Sequence, residues 1–443
     1  MNARPTWTFR WYDNKTPTSL WAAGAGAERI PPNQMTSKLP GKGRKTILLT
    51  AGRIPGALEL GRALGRAGHR VLIAECFRTH ICRFSNTIAG SFRVTAPRHL
   101  DRFTQDILRI IEQENVDLLI PTCEEALHVA FVQHKIPAHC RVYVSSFDKI
   151  IRLHSKWEFI RWAGELGLPV PETTLISPEQ ERLPEEFHQG GYVLKPEFSR
   201  CGVDVRIIPP GTAARADLEK RDPPDRWIAQ DYIAGRTLCA FAMAWRGKVL
   251  STLTYEPTLT LGKFGVSFLR RDKPKIDAWV KEFVAKTGHH GFISVDFMED
   301  EHKDVYAIEC NPRITSGIHL AHPGDLLGVI DGPESKLAAG RAHRPRERAM
   351  VATAVLSVLP RVLRRRGMLK ELVRSTWGSR DAIADLRDPL PFFHQFVCLL
   401  DYFRISLTKR IPLSACPCYL LEWTGEHTES GAPPREVKQR KLT

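Results

Sequence analysis

The residues best suited to chemistry lie in two short segments, ISVDF (Ile293 to Phe297) and VYAIECNPR (Val305 to Arg313). Both are apolar runs interrupted by acids, as expected of strands. Alternate residues of a strand face the same side, so Glu309 and Asn311 point together while Cys310 points away. The acidic hairpin Glu299 to Asp304 brings Asp296 alongside from the neighbouring strand. Two carboxylates and an amide on one sheet face form an oxygen-rich donor set for a hard cation. Magnesium suits it, with manganese as a substitute, because magnesium takes one or two carboxylates and completes its shell with water and phosphate oxygens. Arg313 follows at once and is placed to clamp phosphate oxygens. The plainer alternative, a solvated sheet face, fits poorly with strands that are otherwise apolar.

Further candidates lie nearby. The basic segment Lys263 to Arg271 reads as a loop whose Arg270 and Arg271 either approach an acidic substrate or are merely solvated. His319 and His322, just past the metal strand, either steer an amine or act structurally. The turn TAGRIPG (Thr50 to Gly56) has two glycines but lacks the GxGxxG dinucleotide fingerprint.

The elements that must position these groups follow two grammars. KTILLTA (Lys45 to Ala51), a helix over Gly52 to Gly68 and HRVLIAE (His69 to Glu75) form a βαβ unit. A helix over Leu100 to Glu114, a strand over Asp117 to Pro121, a helix from Glu124 and a strand over Arg141 to Ser145 extend it into a doubly wound α/β domain. From Ser146 two helices lead into strands at hairpin-like spacing: Thr173 to Ile176, Tyr192 to Pro196, Val203 to Ile208, Trp227 to Asp231, Thr237 to Ala244 and Lys248 to Tyr255. A helix over Lys275 to Thr287 and the two acidic strands complete an α+β region. Helices are expected over Ala349 to Leu363 and Pro391 to Leu407, with a loop from Trp377 to Pro391. The expected organisation is a disordered leader over 1–43, an α/β domain over 44–145, an α+β domain over 146–334, a helical extension over 335–423 and a disordered tail over 424–443.

Composition narrows the function classes. The 443 residues carry a net charge of +15, with 43% hydrophobic and 26% charged residues, as in an ordinary soluble protein. The basic residues are spread except for RVLRRR (Arg361 to Arg366), and no nucleic-acid-binding motif accompanies them, so anionic small molecules are the expected partners. No run of about 18 apolar residues predicts a membrane span, and no secretory signal stands at the start. The ten cysteines show no zinc or redox spacing, which points to free thiols in the cytoplasm.

The two acidic strands resemble the metal-binding strands of the ATP-grasp superfamily, in the branch similar to the carbamoyl-phosphate synthase large subunit. Glu309, Asn311 and Arg313 match that branch's E-x-N-P-R motif, and Asp296 stands where an acid or amide precedes it. In HSKWEFIRWAGELGLPVPE, Lys156 matches the family's first phosphate-binding basic residue. Lys195, in YVLKPEFSRCGVDV, matches the second. In WIAQDYIAGRTL, Asp231 matches the acid of the linker past the adenine, where backbone groups of Gln230, Asp231, Tyr232 and Ile233 would bond the base.

The resemblance covers about residues 45 to 330 and implies an α/β pre-ATP-grasp domain, a small lid and a larger half holding the metal. The lid segment Glu197 to Val203 departs from the family in having one glycine and an arginine, and no ribose-binding acid follows Gly235. A narrower likeness is to the ligases that join glycine to a deoxygadusol ring in mycosporine biosynthesis. It rests on KTILLTAG, RALGRAGHRVLIAE, ENVDLLIP, YAIECNPRITSGI and SRDAIADLRDPLPFF (Ser379 to Phe393). The chain lacks those ligases' hydrophobic N-terminal segment and has CEEALHVA after Ile120 to Thr122.

The resemblance implies ATP- and magnesium-dependent ligation. ATP phosphorylates a carboxylate or enol-type oxygen acid, and an amine, an amino acid for preference, displaces phosphate. Arg313 and Lys195 would be catalytic, and a homodimer is compatible with the sequence. Two other readings stay open: a non-catalytic nucleotide-binding scaffold or sensor, and a dinucleotide-dependent oxidoreductase that would leave the acidic strands unexplained.

Overall fold

The computed structural model describes residues 28–30, 43–176, 190–199, 205–208, 226–261, 264–334, 346–351, 370, 372–373, 376–411, 413–421 and 423. Three sheets organise them.

The first sheet contains β1 (Glu28–Ile30), β2 (Thr46–Thr50), β3 (Arg70–Glu75), β4 (Gly90–Arg93), β5 (Leu118–Ile120) and β6 (Arg141–Val142), in the order β1-β4-β3-β2-β5-β6. Pairs among β2 to β6 are parallel, and β1 adds antiparallel to the β4 edge. Helices α1 (Pro55–Arg66), α2 (Leu100–Glu114), α3 (Glu125–Phe131) and α4 (Phe147–His154) accompany them. β2 and β3 are buried almost throughout, as parallel strands covered on both faces must be. Glu28–Ile30 corrects the expectation of a disordered leader: this short edge strand pairs with β4, which pattern reading also missed.

The helix α5 (Lys156–Glu165) opens the next part. Its cap is Ser155, whose side chain accepts from the Glu158 N–H at 3.0 Å. The second sheet is a four-stranded antiparallel set ordered β7-β10-β8-β9, built of β7 (Thr173–Ile176), β8 (Tyr192–Pro196), β9 (Arg206–Ile208) and β10 (Trp227–Asp231).

The third sheet runs β15-β14-β11-β12-β13-β16-β17. Its strands are β11 (Arg236–Trp245), β12 (Lys248–Leu261), β13 (Phe264–Arg271), β14 (Gly291–Glu299), β15 (Val305–Asn311), β16 (Arg348–Met350) and β17 (Arg380–Asp381). One face packs on α5 and α6 (Pro274–Thr287), with Phe159, Trp279 and Phe283 against Ala240, Val295 and Phe297. The opposite face joins Phe241, Tyr255 and Phe268 to Leu58 of α1, Ile314 and Ile318 in one core. That second face therefore looks toward the α/β domain. Gly235 enters β11 so close to β14 that a Cβ there would stand 2.1 Å from the Glu299 carbonyl oxygen, so only glycine fits the turn.

Two further expectations are corrected. The basic segment expected as a loop is strand β13, hydrogen-bonded to both β12 and β16. The segment expected to be helical from Ala349 begins as strand β16. Residues 352–363 of that expected helix, RVLRRR and residues 424–443 lie outside the described residues.

Short helices α7 (Pro323–Leu326) and α8 (Gly328–Asp331) follow β15, and α9 (Leu390–Lys409) is the long C-terminal helix. Among the described residues no helix is long and apolar enough to cross a membrane. The C-terminal segment is locked to the α/β domain by buried ion pairs. Asp388 accepts from Arg62 Nε at 2.8 Å, Ser85 Oγ at 2.6 Å and the Asn86 N–H at 2.9 Å, and its own carbonyl accepts from Arg62 Nη2 at 2.9 Å. Arg53 pairs with Glu75 at 2.6 Å and reaches the Tyr419 carbonyl at 2.9 Å.

Candidate active site

β14 and β15 pair antiparallel, with Asp296 directly opposite Glu309 and Ser294 opposite Asn311. Directly opposed residues share a face, so Asp296, Glu309 and Asn311 stand together while Cys310 is buried on the helix-covered side. Asn311 Nδ2 is 3.4 Å from Glu309 Oε1. Burial, and then Glu309 across the strand pair, push the Asp296 carboxyl above its usual range. A carboxyl held up by burial and by a facing carboxylate fits a cation between the two, because a positive charge removes the repulsion. Two carboxylates and an amide do not close a protein cage. Among the described residues no group of three or more His, Cys, Asp or Glu side chains does so either. The donor set thus suits magnesium shared with phosphate oxygens better than a structural metal.

The same register continues across the sheet. Asp296 opposes Cys239, Cys239 opposes Tyr255, and Tyr255 opposes Arg270. Arg270 therefore occupies the face that carries Asp296 and Glu309, three strand spacings or about 14 Å from Asp296. Arg271 falls on the other face and pairs with Glu256 at 2.7 Å.

Two lysines approach from the second sheet and α5. Lys195 of β8 is buried and donates to Gln230 Oε1 at 2.8 Å and to the Ile308 carbonyl at 3.0 Å. Gln230 in turn donates to Thr173 Oγ1 at 3.1 Å. Burial lowers the Lys195 pKa to about 8, with Glu309 opposing the shift. Lys156, at the start of α5, donates to the Ser199 carbonyl at 2.8 Å and stands 3.9 Å from Glu309 Oε2. Two ammonium groups thus face two carboxylates around one point.

Arg313 donates to Asn311 Oδ1 at 2.9 Å and pairs with buried Glu124 at 3.4 Å, which ties the end of β15 to the α/β domain. Glu124 belongs to the acidic CEEALHVA stretch, so the sequence carried a signal for it. Nothing local in the sequence tied it to Arg313.

At the expected adenine linker, the Asp231 N–H is bonded to the Glu172 carbonyl at 2.9 Å and the Tyr232 N–H to the Gly191 carbonyl at 3.2 Å. Those two amides are therefore engaged already. Asp231 and Tyr232 are exposed and Gln230 is buried beneath them.

The histidines sit apart from this centre. His319 is buried, with Nδ1 3.4 Å from Glu59 of α1, which also pairs with Arg346 at 2.7 Å. Burial pushes the Glu59 carboxyl up, but His319 and the two arginines Arg346 and Arg380 outweigh it and bring its pKa to about 2. His322 caps α7 by accepting from the Gly324 N–H at 3.1 Å. Residues 200–203 of the expected lid segment lie outside the described residues.

Residues 153–317 match the family model of the ATP-grasp domain, and the chain has the ATP-grasp fold. Among solved structures it is similar to N5-carboxyaminoimidazole synthetase from Staphylococcus aureus complexed with ADP, at 14% identity over 75% of this chain and 88% of that one, with a TM-score of 0.54. It is similar to the biotin carboxylase domain of the Hydrogenobacter thermophilus 2-oxoglutarate carboxylase in complex with MgADP, ADP and bicarbonate, at 14% identity over 69% and 72%, with a TM-score of 0.52. It is also similar to the L-amino acid ligase from Bacillus licheniformis, at 14% identity over 65% and 75%, with a TM-score of 0.50. At these identities the likeness establishes the fold alone. No curated protein matches the chain by sequence.

Proposed function

We propose that this chain is a cytoplasmic ATP- and magnesium-dependent ligase. It phosphorylates a carboxylate or an enol-type oxygen acid and joins it to an amine, an amino acid for preference, with release of ADP and phosphate. The observation that carries this reading is the convergence of Asp296, Glu309 and Asn311 on one sheet face with Lys156 of α5 and Lys195 of the second sheet.

In this reading Asp296, Glu309 and Asn311 would hold magnesium, which would supply charge neutralisation for the triphosphate. Lys195, held by Gln230 and the Ile308 carbonyl, presents a fixed positive charge to phosphate oxygens, and Lys156 presents a second. Arg313 exchanges its contacts with Asn311 and Glu124 for the transferred phosphoryl group. The acid's oxygen attacks the γ-phosphorus and ADP leaves. The amine then attacks the activated carbon and phosphate leaves, the amine's proton passing to solvent. Catalysis is positioning and charge stabilisation, with no side-chain nucleophile. Arg270, on the same face, is placed toward the acid substrate. The Ile233 N–H is the amide of the linker assigned to the base. A role in secondary metabolism, in the manner of the mycosporine-type ligases, rests on sequence resemblance.

The test is ADP release by the purified protein with ATP and magnesium. A panel would pair the twenty amino acids with candidate acids, deoxygadusol among them. ADP release should depend on both acid and amine. Lys195→Met should raise the KM for ATP about 10- to 100-fold, the range for losing a charge-assisted contact. Magnesium-dependent ATP binding with no turnover across the panel would favour the scaffold reading.

A further inference from the structure

Helix α9 is buried on one side only. Pro391, Gln395, Cys398 and Tyr402 face the body, while Phe393, Phe396, Leu400, Phe403 and Leu407 form a solvent-facing stripe at three- and four-residue spacing. Phe393 is 63% exposed and Leu400 70%. Just before the helix, Leu386 is 100% exposed. Isolated exposed leucines are ordinary, but a continuous stripe of phenylalanine and leucine along a 20-residue helix marks a contact surface.

Charge identifies the partner. Arg387 and Arg404 are exposed, as are Lys409 and Arg410 at the helix end and Arg78 on the adjoining turn. Of the nearby acids, Asp385 is paired with Arg66 and Asp388 with Arg62, while half-buried Asp401 accepts from the neutral Thr79 hydroxyl and is outnumbered by the exposed cations. The surface around the stripe is therefore apolar with a cationic rim, on a chain of net charge +15. A second copy of the same face would set cation against cation. An anionic bilayer surface satisfies both features, with phenylalanine and leucine entering the acyl boundary and arginine and lysine meeting the headgroups.

We infer that α9 docks the protein on an anionic lipid surface, lying in the interface plane without crossing it. The strands β8, β14 and β15 are not part of this face, so the inference does not depend on the ligase reading.

The test is flotation of the full chain with phosphatidylcholine vesicles, with and without phosphatidylserine. Binding should require phosphatidylserine, weaken at high salt, and fall at least about tenfold in the double variant Leu400→Glu, Phe403→Glu. Arg404→Gln with Lys409→Gln should reduce binding about tenfold or more, at roughly 1 kcal/mol per cation. Because all four side chains are exposed or at the helix end, the variants should keep the wild-type melting temperature and its response to MgATP. Absence of vesicle binding, or equal binding to neutral vesicles, overturns the inference. So does a dimer in sedimentation analysis that Leu400→Glu, Phe403→Glu dissociates, which would make the stripe a self-association face.

Discussion

Glu309→Gln should lower the rate of ADP release by about 10²- to 10³-fold, the range seen when one preorganised charge at a transition state is removed. The substitution keeps side-chain shape and removes only charge. In the structure Glu309 has one carboxylate neighbour, Asp296, and two cationic ones, Lys156 and Lys195. Removing its charge relieves the repulsion on Asp296 but takes a counter-charge from Lys156 and Lys195; the two effects oppose one another, so the unfolding midpoint should stay close to wild type. The half-saturating magnesium concentration for turnover should rise at the same time. Steady-state kinetics over a magnesium series, with calorimetry on both proteins, measures all three quantities. A rate within threefold of wild type would show that β14 and β15 do not hold the catalytic ion.

The largest effect on stability should come from the C-terminal lock. Asp388→Ala leaves the Arg62 guanidinium buried without its counter-charge and strips acceptors from the Ser85 hydroxyl and the Asn86 N–H. Breaking a buried pair from one side costs about 3–5 kcal/mol. The urea midpoint should fall accordingly. Arg62→Met combined with Asp388→Leu should recover a large part of the loss, because neither charge then remains uncompensated. A loss below about 1 kcal/mol for Asp388→Ala would mean that the segment Ser379 to Phe393 only rests on the α/β domain.

The sequence was most legible where structure is set by neighbours in the chain. The alternation of Glu309, Cys310 and Asn311 follows from strand geometry alone, and the buried runs of β2 and β3 follow from their apolar continuity. The helices over 100–114 and 274–287 were visible in their periodicity and flanking residues. β13 was missed because Gly265 and a charged end, Arg270–Arg271, obscure its alternation, and its pairing with β12 shifts register between Pro257 and Thr260. β1 and β16 are three-residue strands whose only reason to be extended is a partner far along the chain.

The candidate site divides in the same way. The cross-strand row from Glu309 through Cys239 to Arg270 depends on register among five strands, which no local pattern encodes. The pairs Arg313–Glu124 and His319–Glu59 join the sheet to the α/β domain across long separations, so the sequence leaves His319 open between an amine-handling and a structural role while the structure gives it a carboxylate in α1. Lys156 and Lys195 were recognisable only by motif resemblance, since a lysine in a strand or at a helix start has no distinctive pattern of its own.

The central claim is tested most directly by identifying the products of amine-dependent ATP turnover with magnesium by phosphorus NMR. The account predicts ADP and inorganic phosphate in equal amounts, formed only when acid and amine are both present. AMP and pyrophosphate would contradict it, because the γ-phosphoryl transfer assigned to Lys195, Arg313 and the Asp296–Glu309 ion could not then be the activating step.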